Sequence, residues 1–216
     1  MPLPELVTTF IVIIVMEFRS SYGNPYPELN KRDSDTVDIE IFGEAQCIDT
    51  TKFLQKQLLP AYKTFGSRLN ISYHPFGIPK FAKCGWNGTN IDCSCHHGLR
   101  ECEKQALQAF SCIQGGDEFD DSVKKCLADK EPSLRVPSDR FVRCAKSDAG
   151  RSLIEHHGSI QRDIAPEVLS VPWIIINGVR DRAAEHNLER ALCTRYLKPR
   201  PVACAHYEPD LTENSH

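Results

Sequence analysis

Apolar and polar positions alternate at Val37, Ile39 and Ile41, the two-residue period of a strand with one buried face. Gly43-Glu44-Ala45-Gln46 turns the chain, and from Cys47 the period lengthens. Phe53, Leu54, Leu58 and Leu59 recur at helical intervals, and Pro60 is expected to stop that helix. Alternation returns at Leu69, Ile71 and Tyr73 within Arg68 to Tyr73, so strand, helix and strand make a βαβ unit with parallel strands. Short helical patterns follow at Glu103 to Cys112, at Ser122 to Asp129 and, more loosely, from Ser147 to Ile164 with Leu153, Ile154 and Ile160 as apolar positions. Ile174 to Ile176, inside Val171 to Val179, form the unbroken apolar run of a central strand covered on both faces, with Pro172 at its mouth. Asn177-Gly178 predicts a hairpin to a short partner strand. A closing helix over Ala183 to Leu197 puts Ala184, Leu188, Ala191 or Leu192, and Tyr196 on one side.

A length of 216 residues allows one domain, or one with a large insertion, and a hydrophobic content of 41% supplies a real core. Net charge −3 and a pI near 6.2 give no electrostatic reason to expect nucleic acid. Ten cysteines change the picture: that density fits an oxidising compartment. The 11-residue apolar run Leu6 to Met16 has the length of a signal-peptide core and is too short for a bilayer span. Ser21-Tyr22-Gly23 offers a cleavage site before Asn24; a signal anchor is the alternative, since Glu5 and no Lys or Arg precedes the run. The chain divides into a signal peptide (1–23), a polar linker (24–36), a domain (37–204) carrying an insertion at about 84–165, and a tail (205–216). Asn70-Ile71-Ser72 and Asn87-Gly88-Thr89 are glycosylation acceptors, useful only on the secretory route, which leads to the lysosome or the exterior and leaves no stable membrane insertion after cleavage.

Cys47 stands where strand gives way to helix. Unpaired backbone N–H groups and the helix dipole favour negative charge there, and the thiolate is the species that attacks disulfides. A structural cysteine in one of the bridges is the alternative. The motif is Cys47-Ile48-Asp49-Thr50, so Thr50 occupies the place of a resolving cysteine; its hydroxyl can hydrogen-bond a thiolate but cannot be oxidised. Asp49 adds a negative charge that works against the dipole.

The order β-α-β, insertion, β-β-α, with a cysteine at the first strand–helix junction and a proline before the third strand, resembles the thioredoxin fold with a disulfide-stapled helical insertion. That resemblance implies a cis bond before Pro172 and places Pro172 across from Cys47. Cys95-His96-His97-Gly98-Leu99-Arg100-Glu101-Cys102 resembles the CQHGxxEC signature of gamma-interferon-inducible lysosomal thiol reductases, with His96 in place of Gln. Val171-Pro172-Trp173 to Asn177-Gly178 resembles the VPW…NG block of the same family, and the likeness runs from about Val37 to Cys204. It implies a soluble endolysosomal or secreted glycoprotein that reduces disulfides of protein substrates. Thr50, Gln105 where the signature has Asn, and Cys112 two residues late are departures from the pattern.

Other constellations are weighed beside these. Cys93, Cys95, His96, His97 and Cys102 are types that bind zinc, but thiols pair in an oxidising compartment, so no metal and no bound cofactor is expected. His97 with Gly98 shapes a loop near the active face and is a substrate-groove candidate together with Trp173, for which a core position is the alternative. Arg100 and Glu101 read as a solvated face, with a helix-start pair as the alternative, and His156-His157-Gly158 as exposed loop. Cys84, Cys93, Cys95, Cys102, Cys112, Cys126, Cys144 and Cys193 are bridge cysteines of undetermined pairing, except that Cys93 and Cys95 are too close to join. With Cys47 set aside, nine of the ten remain, an odd number, so one stays reduced, leaves by processing or bonds another chain, and Cys204 is the candidate for trimming or for a disulfide-linked dimer. Three functions follow: a thiol–disulfide oxidoreductase using Cys47 with glutathione or cysteine as external resolver, a redox-inactive protein that traps clients, or a secreted protein in which Cys47 is merely bridged.

Overall fold

The structure, a computed structural model, describes residues 36–108 and 138–208. The expected signal segment and linker, the Ser122 to Asp129 helix, Cys112, Cys126 and most of the tail lie outside the described residues.

Strand β1 (Val37–Gly43) enters the molecule and pairs parallel with β2 (Leu69–Pro75), Ile39 lying opposite Ile71. On its other side β1 pairs antiparallel with β5 (Trp173–Ile176), which pairs antiparallel with the short β6 (Val179–Arg180) across the Asn177-Gly178 turn. The sheet order is β2-β1-β5-β6. The alternation read from sequence becomes two packed faces. Ile39, Ile41, Ile71, Ile174 and Ile176 face one cluster with Phe53, Leu58, Leu188 and Leu192, whereas Phe42, Trp173 and Ile175 face another with Val168 and Val171. All four residues of β5 are buried, the burial a central strand demands.

Between β1 and β2 the chain runs as α1 (Ile48–Phe53), a π turn (Leu54–Leu58) and α2 (Leu59–Phe65). Pro60 does not stop the helix. In the π turn the Leu59 N–H reaches back five residues to Leu54 O, and this wider turn admits a proline at the start of α2. The helix ends instead at Gly66, where the backbone turns left-handed.

The insertion opens on a hairpin that sequence reasoning missed, β3 (Lys83–Trp86) with β4 (Ile91–Ser94), followed by α3 (Leu99–Gln108), α4 (Ser138–Ala145) and α5 (Asp148–Ile164). Phe76, Cys95, Cys102, Leu107, Val142 and Ile154 form its separate core. Among the described residues three disulfides join Cys84 to Cys93, Cys95 to Cys102 and Cys193 to Cys204. Cys204 is therefore closed within the chain and fully buried, not kept for a partner or for trimming. Its partner Cys193 lies in a π turn (Leu192–Tyr196) that extends α7 (Leu188–Ala191), itself preceded by α6 (Arg182–His186); the closing helix thus comes in three pieces. Cys144, read as a bridge cysteine, carries a free, half-buried thiol. His156 to Gly158 belongs to α5 and not to a loop: Gly158 packs so tightly on Phe76 that a Cβ there would lie 2.4 Å from Phe76 Cε2.

Candidate active site

Cys47 is the N-cap residue of α1, in extended backbone (φ −71°, ψ 122°), with its carbonyl already accepting the Thr51 amide at 3.0 Å. It is a free thiol and half-buried. Its side chain does not cap its own helix but lies at the end of the two central strands, Sγ donating to Val171 O at 3.7 Å. The Val171–Pro172 peptide bond is cis. The first helix and the segment entering β5 thus meet at the sulfur, although 124 residues separate Cys47 from Val171. Ile48, beside the thiol, is 66% exposed.

Thr50 is fully buried, and its hydroxyl oxygen accepts the Glu44 N–H at 3.4 Å. The space it fills is fixed from below: a Cβ on Gly43 would lie 2.7 Å from Thr50 Cγ2 and 2.8 Å from the Tyr73 hydroxyl, so only glycine lets the strand end pass under α1. Burial pushes the Tyr73 phenol above its ordinary range, and negative charge on Cys47, Glu44 and Glu101 adds to the shift. Tyr73 accordingly stays a neutral donor, to Gln108 Oε1 at 2.9 Å.

Two buried carboxylates hold the turn in front of Cys47. Glu101 is fully buried, not part of a solvated face. Its Oε1 accepts the Gln46 N–H at 3.2 Å and His97 Nδ1 at 2.8 Å, while Oε2 accepts the His97 amide at 2.8 Å. The Cys95–Cys102 bridge closes the loop that carries His97 and Glu101, so the motif is a clamp bonded to the residue before Cys47. Glu44, 2% exposed, accepts the Ile78 N–H on Oε1 at 3.0 Å and meets His96 Nδ1 with Oε2 at 3.2 Å. Gly77, at φ +107°, leaves the room this needs: a Cβ there would lie 2.6 Å from Glu44 Cγ. Neither carboxylate was identified from sequence as a site residue; Glu101 was legible only as a fixed position of the motif.

A cleft of about 510 Å³ opens beside the thiol loop, lined by Lys52, Lys56, Val171, Pro172, Glu185 and His186 among others. The two groove candidates do not line it. Trp173 is 2% exposed, its ring packed in the core beneath the Arg180 guanidinium at 3.1 Å from the centroid, because residues of β5 are covered on both faces. The His97 ring is committed to Glu101. Asn70 and Asn87 are both exposed: Asn70 Nδ2 donates to Asp38 Oδ1 at 2.6 Å, and Asn87 stands at the tip of the β3–β4 hairpin. Among the described residues no helix is long and apolar enough to cross a membrane.

A GILT-like protein of Caenorhabditis elegans is 32% identical over 212 residues, covering 90% of this chain and 94% of its own. A GILT-like protein of Caenorhabditis briggsae is 35% identical over 189 residues, covering 80% and 84%. Among solved structures, Pseudomonas aeruginosa DsbA aligns with 76% of this chain and 80% of its own at 13% identity and a TM-score of 0.40, a likeness too slight to weigh. The model of the gamma interferon inducible lysosomal thiol reductase family matches residues 38–153. The clamp, the unpaired cysteine it supports and these matches together make the chain a member of the gamma interferon inducible lysosomal thiol reductase (GILT) family, whose chemistry is thiol–disulfide exchange.

Proposed function

We propose that this chain reduces disulfides in protein substrates through Cys47 alone, with an external small thiol such as glutathione or cysteine completing each cycle. One observation carries the reading: the sulfur at the start of α1 is unpaired and faces the Val171–Pro172 corner beside an open cleft, while position 50 holds a buried threonine. The Cys47 thiolate attacks one sulfur of the client bond, forming a mixed disulfide and releasing the other client sulfur as a thiolate that takes up a proton. Thr50 has no sulfur with which to displace the client. A small thiolate therefore attacks Cys47 Sγ, frees the second client thiol and leaves a mixed disulfide with the small molecule. A second small thiolate then restores Cys47. In sum, one client disulfide and two small thiols become two client thiols and one small-molecule disulfide.

The secretory route, ending in the lysosome or outside the cell, is supported by three intrachain disulfides and by two exposed glycosylation acceptors, Asn70 and Asn87. The buried Thr50 also favours a second reading, in which clients are held as mixed disulfides and not turned over. Insulin reduction with excess small thiol separates the two. The expected result is a rate well above the uncatalysed one, falling to background in Cys47→Ser. A wild-type rate no higher than that of Cys47→Ser removes turnover and leaves trapping.

A further inference from the structure

We propose that Glu44, His96 and His97 bind a divalent metal ion of zinc-like preference on the solvent side of the turn that leads to Cys47. The cysteines near these histidines are not the ligands: Cys93 is bonded to Cys84, and Cys95 to Cys102. Folding supplies a carboxylate instead, from a residue 52 positions earlier in the chain. One donor atom from each of the three side chains lies within 4.8 Å of the other two.

Four features make this a built site. First, a tetrahedral zinc with ligand distances of about 2.0–2.1 Å separates its donor atoms by about 3.3 Å; Glu44 Oε2 and His96 Nδ1 stand 3.2 Å apart. Second, the carboxylate is pre-set: the Ile78 amide holds Oε1, and the missing Cβ of Gly77 leaves it space. Third, the His97 ring is fixed by its Nδ1 bond to Glu101 at 2.8 Å, the kind of carboxylate contact that orients metal-ligating imidazoles. Fourth, the site has one dry wall and one open side. Glu44 is 2% exposed, whereas the His96 and His97 side chains are 34% and 40% exposed, leaving an entry path and a place for water or a further ligand.

Donor chemistry points the same way. Zinc accepts imidazole and carboxylate alike, whereas magnesium and calcium prefer oxygen alone. His96 is the residue that departs from the signature, where glutamine stands, so the site is a property of this chain and does not depend on whether Cys47 turns substrate over.

The test is a zinc titration of the purified full chain, disulfides intact and every free thiol alkylated, in competition with a chromophoric chelator. One zinc per chain, bound at least ten-fold more weakly by His96→Gln, is the expected result. No binding, or equal binding by His96→Gln, overturns the proposal. Cobalt(II) added to the unalkylated wild-type chain gives a reading that needs no variant. Visible bands of nitrogen and oxygen ligation support the site, and a thiolate-to-cobalt charge-transfer band overturns it.

Discussion

Removing the Glu101 carboxylate should loosen the whole approach to Cys47. In Glu101→Ala three donors lose their acceptor: the Gln46 amide, the His97 amide and His97 Nδ1. Hydrogen bonds to a charged group contribute roughly 1.5–3 kcal/mol each. The three do not simply add, because His97 is 40% exposed and water can replace its two bonds. The half-buried Gln46 amide and the cavity left under a fully buried side chain remain uncompensated, giving a loss of about 3 kcal/mol. With a urea dependence of about 2 kcal/mol/M, the unfolding midpoint should fall by about 1.5 M. Glu101→Gln keeps the shape and one acceptor but sets an NH₂ against a donor, so a loss of about 1–2 kcal/mol is expected. Urea titration followed by tryptophan fluorescence reads both variants. The rate of Cys47 alkylation, measured in the same samples below the transition, reports whether the thiol loop has moved. A midpoint shift under about 0.3 M in both variants, with unchanged alkylation, would refute the clamp.

Thr50→Cys supplies the missing sulfur at the cost of about 1 kcal/mol for the bond from the Glu44 amide, and dithiothreitol-driven insulin reduction should rise at least ten-fold; an unchanged rate would show that position 50 cannot reach the mixed disulfide. Gly158→Ala gains up to about 1 kcal/mol of helix propensity but forces a Cβ to within 2.4 Å of Phe76, so a net loss of about 1–2 kcal/mol, a Tm drop of roughly 3–6 °C, is expected by calorimetry. Burial, with positive charge on His74 and His156 adding, holds His157 down at about 3, against an ordinary value of 6.5. The unfolded chain therefore takes up this proton first: the stability is fully present above about pH 6.5 and is lost as pH falls toward 3, by about 2 kcal/mol at pH 5. His157→Gln should flatten that part of the stability–pH curve, and identical slopes in the two proteins would exclude His157 as its source.

The sheet was legible because its strands obey simple periods. Val37, Ile39 and Ile41 alternate over a half-buried strand, and Ile174 to Ile176 run unbroken through a fully buried one. The β3–β4 hairpin escaped because it is exposed along much of both strands: Lys83, Gly85, Trp86, Asp92 and Ser94 face solvent, leaving no apolar alternation to detect. Pro60 misled for a local reason, since nothing in the composition marks the π turn that accommodates it. At the site, Cys47 could be found from its place at a strand–helix switch. Glu44 and Glu101 could not, because a buried carboxylate looks like a surface one until the donors that meet it are known, and those come from residues 77–97 and from the turn before Cys47. Cys204 was misjudged for want of the same information, as only three-dimensional proximity reveals that Cys193 reaches it.

If Cys47 is recycled by an external thiol, as proposed, the fold must survive the solution that delivers it. Sγ atoms in the Cys95–Cys102 and Cys193–Cys204 links belong to residues at most 8% exposed, beyond easy reach of an attacking thiolate, while the Cys84–Cys93 link lies half-open on the hairpin. Since Cys95–Cys102 braces the loop that carries Glu101, opening it would disarm Cys47. On the proposed cycle the reductant would set both a floor and a ceiling on activity: too little would leave the sulfur capped, and too much, or too strong a dithiol, would dismantle the frame that aims it.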